Sequence, residues 1–180
     1  MKPVKAADLK RYLLSRSQTE LTTEILELCK LFPAVKEYYA AKIDPDFEQE
    51  LMVKYKKIIG DEFFPIRGFG KLRFSVANKA LSDFEKVAKF PGNIAELKIT
   101  YAELGVQFTN TYGDINEAFY NKILVMYEKA ADYVVRENLE DVFRMRLENV
   151  MDEGQDIGWG FSDGLAEIYY SYFADDEEGT

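Results

Sequence analysis

Apolar residues return every three or four positions along most of this chain, the period of a helix with one buried face, and no segment sustains the alternation of a strand. From Lys5 to Arg16, Leu9, Tyr12 and Leu13 fall on one face with Lys10, Arg11 and Arg16 opposite, which predicts a short first helix. Ser17 and Glu20 have the spacing of a capping box, in which hydroxyl and carboxylate each satisfy an amide at the helix start. Leu21, Ile25, Leu28 and Phe32 follow as the stripe of a second helix. Pro33 lacks the amide hydrogen a helix interior needs, so it ends that helix and opens a third, with Val35, Tyr38, Tyr39 and Ile43 inward. A fourth helix is expected from about Pro45 to Ile59 on Phe47, Leu51, Tyr55 and Ile58, with Gly60 suited to a left-handed cap.

Beyond residue 70, Phe74, Ala77, Leu81, Phe84 and Val87 mark a fifth helix, closed by Phe90-Pro91-Gly92. Asn93 with Glu96 and Asp114 with Glu117 repeat the box spacing. They introduce a sixth helix ending near Tyr112-Gly113 and a seventh running through Phe119, Ile123, Tyr127, Ala130 and Val134. An eighth is expected from about Asn138 to Asp152 and a last from Ser162 to Phe173. Connections of a few residues make consecutive helices antiparallel neighbours. The predicted fold class is all-α: an irregular stack of antiparallel helical hairpins, α-solenoid-like or an orthogonal bundle, of about eight or nine helices. Residues 1–174 are read as a single domain, with lobes 1–60 and 71–174 joined by a connector at 60–70, and 175–180 as a disordered acidic tail.

Composition narrows the chemistry more than the fold. With 180 residues, 47 % of them hydrophobic, the chain can bury one well-packed core. It has no histidine, which excludes Ser-His and Cys-His nucleophile pairs, HExxH zinc sites and the Glu-x-x-His pairs of di-iron bundles. Cys29 is the single cysteine, so neither an internal disulfide nor a thiolate zinc cluster can form. An enzyme would be left with carboxylate, Lys, Tyr or Cys chemistry, and no constellation for it stands out. No catalytic residue, metal site or cofactor is therefore expected. No apolar run approaches the roughly 20 residues of a membrane span, and Met1 to Asp8 does not lead into an apolar signal segment, so the expected location is cytoplasmic.

Charge picks out one stretch. The chain carries a formal net charge of -9, yet residues 51–80 hold Lys54, Lys56, Lys57, Arg67, Lys71, Arg73 and Lys79 against Asp61 and Glu62 alone, a local balance of +5. Gly60, Pro65, Gly68 and Gly70 break the helical pattern in the same stretch, and Phe63, Phe64, Phe69 and Phe74 are interleaved with the cations. Basic and aromatic residues so mixed can track a phosphate backbone and stack bases. The plainer reading makes Phe63 and Phe64 a plug between helices and pairs the cations with the acidic surface. A third reading sets this stretch against residues 151–180, which hold nine carboxylates and no cation, as an intramolecular clamp or a dimer contact.

Two further clusters carry polar or aromatic groups. Gln155 to Asp163 holds the only tryptophan between glycines, so Trp159 and Phe161 could wall a ligand or peptide pocket with Asp156 and Asp163 as polar ends. The favoured reading is a tight turn with Trp159 folded into the core; the carboxylate spacing does not match a calcium loop. Thr109 to Glu117 gathers hydrogen-bonding groups, Tyr112 and Asp114 among them, at a helix junction that could hold an anion, but Asp114 is placed to occupy that positive end itself. Cys29 is expected to be a buried, inert thiol.

The segments ELTTEILELCKLFPAVKEYY, YKKIIGDEFFP, ELGVQFTNTYGDINEAFY and DIGWGFSDGLAEIYYSYF together resemble a family of small bacterial proteins known only as a domain of unknown function. The resemblance spans nearly the whole chain. It implies a helical cytoplasmic protein and supplies no activity, cofactor or site residue. The residues themselves point to a non-catalytic binding or scaffold protein that meets a protein partner through a groove or the basic central loop, with Lys54, Lys57, Arg67, Phe69, Lys71 and Arg73 as contacts. Tyr112, Asp114, Trp159, Phe161 and Asp163 are the candidate pocket, and a homo-oligomer is the further partner considered. The alternative is a nucleic-acid-associated protein that binds through residues 54–74.

Overall fold

The computed structural model describes residues 3–44 and 46–174, and among them it contains nine α-helices and no strand. The acidic segment 175–180, read above as a disordered tail, lies outside the described residues. No described helix is long and apolar enough to cross a membrane. The helices group into two compact units, Met1–Pro45 and Asp46–Thr180.

The first unit holds α1 (Ala6–Leu14), α2 (Gln18–Leu31) and α3 (Pro33–Ile43). The capping box forms as its spacing predicts: the Glu20 amide donates to Ser17 Oγ at 3.3 Å and the Ser17 amide to Glu20 Oε2 at 2.8 Å. Extended Phe32 ends α2 and precedes Pro33, which fills the first turn of α3 as expected. Helices α2 and α3 pack on each other as a hairpin. The predicted inward stripes fare differently. Leu9, Tyr12 and Leu13 of α1, Leu28 of α2, and Phe32, Tyr38 and Ile43 around α3 are all exposed, and among the described residues of the unit Ala41 is the one buried apolar residue. Three helices of nine to fourteen residues offer too little surface to enclose a core of their own.

The second unit holds α4 (Phe47–Phe63), α5 (Phe74–Glu85), α6 (Pro91–Tyr112), α7 (Glu117–Arg136), α8 (Glu140–Glu153) and α9 (Phe161–Phe173). Helix α6 is its axis, packed by α4, α5, α7 and α8, while α9 closes against α7 and α8. The fully buried rings of Tyr101, Tyr120, Tyr127, Phe63, Phe84 and Phe161 dominate the core. Tyr127 reconciles its hydroxyl with burial by donating to the Leu147 carbonyl at 2.8 Å. A Cβ on Gly105 would stand 2.3 Å from Ile123 Cδ1, so the missing side chain is what lets α6 and α7 approach. The unit boundary falls at residue 45 and not within 60–70, because α4 packs on α5 and α6.

Several sequence expectations change inside this unit. Helix α4 runs through Gly60 to Phe63, so Gly60 is an interior residue and Pro65 is what stops the helix. Asn93 does not cap α6, which starts two residues earlier at Pro91. It ties elements together instead: its Nδ2 donates to Glu48 Oε1 at 2.9 Å and its Oδ1 accepts from Gln49 Nε2 at 3.1 Å. The cap of α7 is Asn116, whose Oδ1 accepts from the Phe119 amide at 2.9 Å, and not Asp114.

Among the described residues of the second unit two glutamates are buried, and each accepts three hydrogen bonds from N–H donors. Glu48 accepts from the Lys89 and Phe90 amides at 2.8 and 3.1 Å as well as from Asn93, so it caps the start of α6 from another helix. Glu62 is the other, in the last turn of α4, where it faces the loop that follows.

Candidate functional site

Residues 64–73 join α4 to α5, and their shape follows from what anchors the two ends. The Phe63 ring is buried against Phe74, Tyr101 and Phe108, with centroids 6.1, 5.7 and 6.3 Å away, so the last turn of α4 is fixed in the core. Pro65 cannot continue the helix, and the chain turns through Gly68 and Leu72, whose φ values are 78° and 49°. It then returns to its starting point. The Leu72 amide donates to the Glu62 carbonyl at 2.9 Å. Gly70 passes so close to the end of α4 that a Cβ there would lie 2.2 Å from the Phe63 carbonyl oxygen.

The Glu62 carboxylate completes the closure. Its Oε2 accepts from the Arg73 amide at 3.1 Å and from Arg73 Nε at 3.0 Å, and its Oε1 accepts from Arg73 Nη2 at 2.6 Å. These bonds to Arg73, with Lys71 nearby, hold the carboxyl below its usual range although burial alone would raise it. The same pair raises the Arg73 guanidinium above its ordinary value. A bidentate, charge-assisted contact between a buried carboxylate and a half-exposed guanidinium therefore clasps both ends of a ten-residue loop.

Between clasp and crown lies an open depression of about 320 Å³. Its walls include Lys57, Arg67, Phe69, Lys71 and Arg73, so five of the six contact residues expected from sequence share one surface feature. Lys54 is outside it, one turn back along α4, with its ammonium 5.0 Å from the Tyr55 ring. Ile66 and Phe69 stand 86 % and 75 % exposed at the crown. Phe69 leans on Tyr112 at 5.5 Å, and Tyr112 in turn meets Phe64 and Phe108.

The cations of this stretch do not all face solvent as free charges. Lys56 pairs with Glu96, Lys57 with Asp61 at 2.5 Å, and Arg73 with Glu62. The acids that engage them lie on α4 and α6, not in the terminal segment. Among the described residues, Arg67 and Lys71 make no ion pair of their own. Lys57 and Arg73 are already set against Asp61 and Glu62 in the formal +5; Lys56 with Glu96 and Lys79 with Asp83 remove two more, which leaves Lys54 beside the Tyr55 ring and Arg67 and Lys71 at the crown with two apolar side chains.

Further along α6 the charges are again structural. Arg146 of α8 reaches Glu96 and Glu103, with Nε 2.5 Å and Nη2 2.7 Å from the Glu103 oxygens, and donates to Thr100 Oγ1 at 3.0 Å. Bonds from Glu103 and Glu96 raise the guanidinium well above its ordinary value against the opposing effect of burial. Burial would raise Glu96, but Lys56 and Arg146 bring it down. Glu96 and Glu103 thus share one arginine.

The residues of the second candidate cluster differ sharply in exposure. Trp159 takes a left-handed backbone conformation with φ 62° and is 65 % exposed, the opposite of the folded-in ring expected. Phe161, two residues on, is buried against Tyr120 at 5.1 Å. The turn buries Ile157 and Phe161 and leaves the tryptophan outside. Asp114 accepts from Tyr120 Oη at 3.0 Å, Asp163 is exposed in the first turn of α9, and Tyr112 belongs to the aromatic flank of the α4–α5 loop. Cys29 is half-buried in the first unit, not enclosed.

Sequence reasoning missed the acid at the base of the loop: Glu62 counts there only as one negative charge, and its contact with Arg73, eleven residues on, depends on the turn between them.

No curated protein and no solved structure matches this chain. The sequence model of one family covers residues 4–173, nearly the whole chain and both units. The chain accordingly belongs to DUF6155, a family of unknown function.

Proposed function

We propose that this is a non-catalytic binding protein whose α4–α5 loop docks an acidic segment of a partner protein, with an apolar side chain of the partner seated against Ile66 and Phe69. One observation carries the reading: the loop is locked at its base by Glu62, Arg73 and Gly70, while its crown holds two large apolar groups and two cations in solvent. A loop already ordered loses little conformational freedom when it binds. Phenylalanine and arginine side by side supply apolar contact and charge-assisted hydrogen bonds, and Lys71 adds to the field that orients an acidic partner. The buried acids support this reading as structural groups: Glu48 and Glu62 each accept three hydrogen bonds from N–H donors that fix the α6 start and the loop base.

Nucleic acid fits the same surface less well. Lys56, Lys57 and Arg73 are held by acids, Phe63 is in the core, and a chain of net charge -9 repels a polyanion. Panning a random peptide library against the wild-type chain and against R67E/K71E tests the proposal. Enrichment of acidic peptides with an aromatic or aliphatic anchor on wild type alone supports it, and F69A should weaken those peptides. Peptides without acidic bias, or retained by R67E/K71E, would refute it. Binding of single-stranded RNA or DNA at low salt, lost in R67E/K71E, would transfer the surface to the nucleic-acid reading.

A further inference from the structure

The first unit presents a second surface, independent of the loop. Although it is a quarter of the chain, about half of the large exposed apolar residues lie in it, among them Leu26, Leu31 and Ile43 at 57, 69 and 82 % exposure. Soluble chains rarely leave so much apolar surface together unless something covers it. Between α2 and α3 the surface is concave: an open groove of about 780 Å³ has Leu26, Cys29, Pro33, Tyr39 and Ile43 in its walls, and Lys30 and Lys36 line it as well.

We infer that this groove is the contact between two copies of the chain, which pair through their α2–α3 hairpins. A lone helical hairpin buries only the seam between its helices; two hairpins face to face make four helices around a closed core. The charges that line the groove, Lys30 and Lys36, are positive, and the exposed Glu27 lies outside its lining, three residues before Lys30 on α2; none of the three makes an ion pair among the described residues. A two-fold axis passing near Cys29, with the α2 helices antiparallel, sets Glu27 of each copy beside Lys30 of the other and brings the two thiols close together. An unrelated partner would have to supply that apolar ridge and acid; a second copy already has both.

The test uses the full chain. Wild type should sediment at twice the 20.8 kDa chain mass, and L26E/I43E at the single mass with unchanged helical circular dichroism, since both replaced side chains are exposed. Alkylation of Cys29, the one thiol present, should slow as wild-type concentration rises and stay fast in the variant. E27K should weaken the dimer, and E27K/K30E should restore it, because a charge swap within one sequence is neutral only where the chain meets itself. A wild-type chain of single mass at the highest attainable concentration overturns the inference. If Cys29 is then protected, the chain covers the groove itself; if it reacts freely, the groove serves a different protein. A dimer that survives L26E/I43E, or that E27K/K30E does not restore, also overturns it.

Discussion

Gly68 and Gly70 lie two residues apart in the α4–α5 loop and carry no side chain for different reasons, so alanine at each gives a matched test of how the loop is held. At Gly68, φ is 78° and a Cβ would meet nothing within 4 Å, so G68A adds only the strain of a left-handed alanine, about 1–2 kcal/mol. At Gly70 the Cβ would lie 2.2 Å from the Phe63 carbonyl oxygen and 2.6 Å from that of Glu62. Both obstacles are backbone of a helix end whose Phe63 ring is fixed in the core, so neither can swing aside as a side chain tip would. The strand of loop at Gly70 must lift away, which also parts the Leu72 amide from the Glu62 carbonyl. Overpacking of this kind costs about 3 kcal/mol, and loss of the hydrogen bond adds about 1 kcal/mol. If the whole unit responds, G70A should melt about 8–16 °C below wild type and G68A about 2–8 °C below it. If the loop opens locally, the melting shift is smaller, but the Leu72 amide should lose hydrogen-exchange protection in G70A and keep it in G68A. G68N should recover most of the G68A loss, because asparagine tolerates that conformation. Equal effects at the two sites, or a protected Leu72 amide in G70A, would refute the clasped-loop description and remove the preordering that the proposed function relies on.

Three further perturbations test other contacts. E48A strips the α6 start of a carboxylate that accepts three N–H groups, and should cost about 2–4 kcal/mol in urea melts, with E48Q intermediate. R146M leaves Glu96 and Glu103 without their shared cation; discounted for a guanidinium side chain that is 29 % exposed, the loss should be about 2 kcal/mol and should shrink if E103Q is added. Because the Glu62 carboxyl is lowered in the folded chain from an ordinary 4.5, its clasp contributes fully above pH 4.5 and is lost as pH falls through the depressed value. Exchange protection of the Arg73 amide should follow that acid transition, and in E62Q it should be weak at neutral pH and nearly independent of pH.

The helices were legible because their signals are local. Period, proline and the Ser17–Glu20 box act within a turn or two of chain, and α2, α3 and α7 begin within two residues of where those signals place them. The loop was legible for the same reason, since five of its six expected contacts are close in sequence and end up around one depression. What was hidden depended on partners far along the chain. Asn93 has the spacing of a cap, but it is recruited by Glu48, forty-five residues earlier. Trp159 has the bulk of a core residue, yet a left-handed backbone at that position sends the ring out and Phe161 in. The stripes of α1 and α2 were read as inward because periodicity reports that a helix has an apolar face, not that anything in the same chain covers it.

That last distinction also explains why a local charge balance misjudged the loop. Adding formal charges over residues 51–80 treats each lysine and arginine as equally available, whereas Lys56 ties α4 to α6, Arg73 ties the loop to α4, and Lys57 is paired with Asp61 one turn along its own helix. A cation fixed by a carboxylate contributes to shape and little to the field a partner meets, because the pair presents a dipole and not a charge. On the proposed function, the charge that meets a partner is what remains at the crown, Arg67 and Lys71, above the neutralised group that holds the loop. The two classes of cation should therefore separate experimentally. Removing Arg67 or Lys71 should change the salt dependence and on-rate of an acidic peptide while leaving loop protection intact. Removing Arg73 should instead release the loop, and weaken the peptide through disorder at its binding surface, even though the formal charge lost is the same.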